Sequence, residues 1–148
     1  MKNLLKIMTI NVLFVIALTA CKVEEATPTM PPVAEKEKIE QVQLGTLLRS
    51  GSFVSNVHST SGSAKLYEKD GVKNLVFQNF KTDNGPDLRV YLSKNTTASD
   101  FRELGKLKAV SGDFTYEVPA AINTSEYPFV LIWCEDFSVL FGNSELKN

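Results

Sequence analysis

The run Phe129-Val-Leu-Ile-Trp-Cys134 is apolar at every position and is bounded by Pro128 on one side and Glu135-Asp136 on the other. A run this short, rich in β-branched and aromatic residues, reads as a strand covered on both faces. By the two-residue period of a strand, Cys134 points the same way as Val130 and Ile132, while Trp133 goes with Phe129 and Leu131. Such a strand cannot sit at an edge, so the fold must be built around it. Glu135-Asp136 then predicts a tight turn, after which Phe137, Val139 and Phe141 share one face of a last strand. Cys134 is therefore expected at the end of a core strand, near a rim where loops gather.

The segments upstream have the same short-strand grammar. Ala64 to Glu68 alternates, Lys69-Asp70-Gly71 is a turn of the Asp-Gly type, and Asn74 to Phe80 follows as the second arm of a hairpin. Leu88 to Leu92 and Asp113 to Val118 are further strands, separated by Gly, Pro, Asn, Asp and Ser. Only Ser99 to Leu107 reads as a helical turn, cut short by Gly105. The spacing predicts an all-β fold, an antiparallel β-sandwich, with 129–133 central and the more polar 64–68 at an outer position.

The N-terminus follows a different logic. Lys2 and Lys6 precede an apolar stretch from Ile10 to Leu18, too short to span a bilayer, and Leu18-Thr19-Ala20-Cys21 completes a small-residue cleavage box. The pattern resembles the lipobox of bacterial lipoproteins, which implies diacylglycerol on the Cys21 sulfur, cleavage before it and acylation, often with palmitate, of the new amino terminus. Two or three acyl chains hold a protein on a membrane firmly, at about 0.8 kcal/mol per buried methylene. Residues 1–20 are thus expected to be a signal peptide and 21–44 a lipidated, disordered linker, rich in Pro28, Pro31, Pro32 and alternating charge at Glu35 to Lys38. Residues 45–148 are left as one domain, tethered to the outer membrane in the cell envelope. Lys22-Val-Glu24-Glu25 resembles the acidic export signals of surface lipoproteins in Bacteroidetes, which leaves periplasmic and surface exposure both open.

Charge excludes one class of partner. Removing residues 1–20 takes two lysines and no acids from the 16 basic and 17 acidic residues, leaving 14 against 17 and a formal charge of −3. No basic surface for nucleic acid is expected, and the domain is expected to be a monomer. Nor is there a Gly-x-Ser-x-Gly elbow, a His-Glu-x-x-His or a phosphate loop, so an electron carrier or binding module is favoured over a conventional enzyme. Asp83-Asn84-Gly85-Pro86-Asp87 lacks the ligand count and spacing of a calcium loop and reads as a turn.

A family resemblance joins these pieces. Gly51-Ser-Phe53, His58 to Tyr67, Leu75 to Phe80, Asp83-Asn-Gly-Pro-Asp-Leu-Arg-Val-Tyr-Leu-Ser93, Leu104 to Lys108, Gly112 to Pro119, Trp133-Cys134, Phe137 and Phe141-Gly142 resemble the DM13 domain family in order and spacing over about 45–146. DM13 domains are similar to DOMON β-sandwiches, which include haem-binding and sugar-binding members. The resemblance implies an electron-transfer role through the family's cysteine, as a free thiol or as a ligand to a prosthetic group, and that role maps onto Cys134.

The residues restrict how such a role could work. Between Gly45 and Asn148 there is one histidine, His58, one cysteine and no methionine, so a Met/His haem is excluded within the domain. Without Cys-x-x-Cys-His, covalent haem attachment is excluded as well. What survives is haem or metal ligated by Cys134, with His58 as a candidate second ligand and no separate metal site. Against this stand the plainer readings: Cys134 as a small core residue beside Trp133, and His58 as a ring facing water or backbone. Two functions follow, an electron-transfer domain with a redox partner protein and a non-catalytic module that binds protein or glycan.

Overall fold

The computed structural model describes residues 44–148; the predicted signal peptide, Cys21 and all but the last residue of the linker lie outside the described residues. Eight strands make up its elements: β1 (Thr46–Ser55), β2 (Thr60–Lys69), β3 (Val72–Thr82), β4 (Leu88–Ser93), β5 (Phe101–Lys106), β6 (Ser111–Val118), β7 (Phe129–Cys134) and β8 (Val139–Glu145). They pair antiparallel in the order β5-β4-β7-β8-β1-β2-β3-β6. The fold is all-β, an antiparallel sheet curled into a barrel-like sandwich.

Strand β1 joins the two halves. Residues from Thr46 to Ser52 pair with β2, whereas Phe53 to Ser55 pair with β8, so one strand serves both layers. A register shift between Leu47 and Arg49 helps it bend. The edge strands β5 and β6 come together without a ladder, and Tyr116 closes the seam. Its hydroxyl donates to the Lys106 carbonyl (3.0 Å) and accepts the Lys108 N–H (2.8 Å).

The interior is one apolar cluster, with Phe53, Phe77, Phe80, Phe114 and Tyr116 packed ring on ring. Burial of each such ring contributes on the order of 2–3 kcal/mol, which is what holds two layers together without a disulfide. Strand β7 behaves as its sequence requires: Val130, Ile132 and Cys134 enter this core, while Leu131, Phe129 and Trp133 join a second cluster with Tyr91 and Leu140 on the other face. It is flanked by β4 and β8.

Three sequence expectations change. The segment 64–68 is not at an outer position: β2 lies between β1 and β3, because Ala64 and Leu66 are fully buried on the core side and Tyr67 nearly so on the other. Ser99 to Leu107 is not a helical turn but contains β5, whose Phe101 stacks on Tyr91 of the neighbouring strand (4.1 Å between centroids). Phe137 belongs to the turn before β8, not to the strand, and is exposed. The Asp70-Gly71 turn forms as predicted, both residues having positive φ (52° and 79°) as a two-residue hairpin turn demands.

Candidate functional site

Antiparallel order brings four connections to one end of the barrel: 56–59 after β1, 83–87 after β3, 107–110 after β5 and 135–138 after β7. Backbone hydrogen bonds tie them to one another. Asn56 and His58 donate to the Phe141 carbonyl, Asp83 to that of Ser59, Thr82 to that of Val110 and Glu135 to that of Asp87. The chain enters β1 at the opposite end, ten residues from Ser55, or roughly 30 Å along an extended strand.

Between these loops lies a cavity of about 510 Å³, lined by Val57, His58, Asn84-Gly85-Pro86, Phe137, Val139 and Phe141. Its size falls within the range that takes small molecules, and its walls are mostly carbon, with His58 the one titratable group among them. Val57 and Phe137 are 65% and 69% exposed, so the mouth presents apolar surface to water.

His58 is held on two sides. Its ring stacks on Phe141 at 3.9 Å between centroids, and its Nδ1 faces the Asp83 carboxylate at 3.4 Å. Asp83 is fixed in turn by the Ser59 N–H at 3.1 Å. A carboxylate on Nδ1 favours the tautomer that carries its proton there, which leaves Nε2 with a lone pair. Among the described residues Nε2 has no hydrogen-bond partner.

The facing wall is set by Gly85 and Asp87. A Cβ at Gly85 would come within 2.9 Å of both Leu88 Cδ2 and Phe141 Cζ, so only glycine lets the loop lie this close to the core. Two residues on, Asp87 binds Arg89 through both oxygens (2.8 and 2.9 Å), and Arg89 also reaches Glu103 (2.7 Å). The Arg89 guanidinium holds the Asp87 carboxyl below its ordinary range and is itself pushed higher by the same contacts. With Asp83 turned to His58 and Asp87 to Arg89, the turn reading of this loop holds. No cluster of three or more His, Cys, Asp or Glu side chains suited to a metal occurs among the described residues.

Cys134 lies beside the cavity wall, in register with Val139. It pairs with Leu88 of β4 and Val139 of β8, is fully buried and does not line the cavity wall, where Val139 stands instead. No hydrogen bond or ion pair joins it to His58. Glu135 is drawn to the opposite face of the sheet by a hydrogen bond from Tyr91, whose hydroxyl burial pushes upward in pKa, so its charge is directed away from the thiol. In this packing the thiol does not reach an incoming group, whereas the imidazole does. As packed, the residues do not fit a haem or metal ligated directly by Cys134.

Sequence reasoning missed the walls: Val57 and Pro86 come from two separate connections and Val139 and Phe141 from β8, and only the apolar Val57 amid Ser, Asn and His hinted at a mouth. The sequence model of the family described as Electron transfer DM13 matches residues 52–146, which spans every element of the cavity. Neither the curated proteins nor the solved structures give a match.

Proposed function

The chain belongs to the DM13 electron-transfer family, and from that premise we propose that it is a membrane-anchored electron-transfer module of the cell envelope. Its redox-active occupant is held in the cavity at His58, and Cys134 is the buried thiol behind the cavity wall. One observation carries this reading: an apolar cavity with a single imidazole is lined by Val139, the direct cross-strand partner of the fully buried Cys134. Lipidation at Cys21 would tether the domain to the outer membrane through the linker that leads into β1, with a redox partner protein as the expected recipient or donor of electrons.

Protein purified from its native host tests the proposal by absorption spectrum and metal analysis, with Cys134→Ser and His58→Ala alongside. A redox-active chromophore lost in His58→Ala is the expected result. A colourless, metal-free protein that also takes up no redox-active compound from solution would defeat it. The complete burial of Cys134 favours a second reading in that event, a non-catalytic module using the same end of the barrel to bind protein or glycan.

A further inference from the structure

Two features of the cavity restrict its occupant more than volume does. The first is polarity. Carbon walls at Val57, Pro86, Phe137, Val139 and Phe141 select a flat apolar body, since burying polar groups there would leave them without partners. The second is direction. With its Nδ1–H turned to the Asp83 carboxylate, the His58 ring presents Nε2 as an acceptor, and the other polar side chain of the lining, Asn84, is exposed. A carbonyl oxygen meeting that lone pair would be repelled, whereas a hydroxyl would be bound.

We propose that the cavity binds a hydroquinone, a planar aromatic diol that lies between Phe137 and the His58–Phe141 wall and donates one O–H to His58 Nε2. Selection of a diol that can be oxidised, over other aromatic alcohols, rests on the electron-transfer reading; the preference for a donor over an acceptor rests on the Asp83–His58 pair alone. The exposed Phe137 ring supplies the outer face, and the second hydroxyl is left toward the mouth, where water meets it. The family's cysteine plays no part in this recognition.

The test uses the full chain, whose single histidine gives one set of imidazole ring signals in a proton NMR spectrum. Titration with 1,4-dihydroxynaphthalene under anaerobic conditions should move those signals, and 1,4-dimethoxynaphthalene, which keeps the ring but cannot donate, should bind roughly 3- to 10-fold more weakly, as loss of one hydrogen bond predicts. Followed by ligand fluorescence, His58→Phe keeps an aromatic ring on Phe141 and should reduce diol affinity to that of the ether while leaving ether affinity unchanged. Equal affinity of diol and ether, tighter binding of 1,4-naphthoquinone than of the diol, or no binding of any of them overturns the proposal. Selective diol binding by a chain that leaves oxidation of the diol by added ferricyanide, two electrons to two ferricyanides and two protons to water, no faster and no slower in stopped-flow absorbance than that of the free diol removes the electron-transfer reading and keeps the site. The two failures are thus separate.

Discussion

Two cavities of nearly equal volume lie at opposite ends of the barrel, and their linings have opposite chemistry. The one at His58, about 510 Å³, is walled by carbon and capped by exposed Val57 and Phe137. The other, about 480 Å³, is lined by Leu48, Arg49, Glu68, Lys73, Asn123 to Ser125 and Asn148. In the polar cavity the protein uses its own groups on one another: Arg49 donates to the Thr124 carbonyl, and the Asn123 side chain caps Ser125 and reaches Glu126. At the apolar end one acceptor, His58 Nε2, has no such partner among the described residues. Volume alone does not distinguish the two ends; the chemistry of their linings does.

That contrast is breakable, first at Phe141. It forms both the wall of the apolar cavity and part of the core, so Phe141→Ala should cost about 3–5 kcal/mol in denaturant unfolding and expose His58. A cost under about 1 kcal/mol would mean that this end does not depend on the core beneath it. At the polar end, Arg49→Met strands the Thr124 carbonyl while keeping most of the side-chain volume, and about 1–2 kcal/mol of lost stability is expected with no change in ligand binding at His58.

Cys134→Ala comes next, at about 1 kcal/mol, because a fully buried but small side chain is removed without leaving a partner unsatisfied. Its thiol should stay unreactive to an aromatic disulfide reagent until the domain unfolds; rapid labelling of the native protein would show that Val139 and Leu88 open to expose it. Acid titration sharpens the same wall. Since Arg89 lowers the Asp87 pKa in the fold, their contact stabilises the native state above the ordinary aspartate value, about 3.9, and is lost as pH falls through the lowered one. The loop from Gly85 to Asp87 should therefore keep its native amide NMR shifts at pH 4 and lose them only in stronger acid, whereas an Asp87→Asn protein should show no such step. The smallest effect on stability belongs to Phe137→Ser, within about 0.5 kcal/mol because the ring is largely exposed, together with weaker hydroquinone binding.

How much of this could be read from the chain differs by element. Strand β7 was legible in full, down to which side chains share a face with Cys134, since an all-apolar run has one interpretation and a strand's period is fixed. The Asp70-Gly71 hairpin was legible because only certain residues tolerate positive φ. Strand β1 gave no comparable signal: Thr46 to Ser55 mixes Arg, Ser and Gly, and its place is set by two different partners, β2 and β8. The same holds for β5, where Gly105 looked like a helix stop but sits instead at a register shift against β4. Polar character misplaced β2 because a strand's alternation reports its two faces, not the number of its neighbours.

The sequence by itself determined the all-β class, the family, the single histidine and single cysteine of the domain, and the inward direction of Cys134. All of these depend on local periodicity or on the identity of residues. Only the tertiary structure decided that His58, Asn84 to Pro86, Phe137 and Phe141 enclose one cavity, and that Val139 stands between it and the thiol. Those residues are up to 83 positions apart, from His58 to Phe141, and their meeting depends on the order in which strands pair, which is settled by burial of the whole core rather than by any one segment.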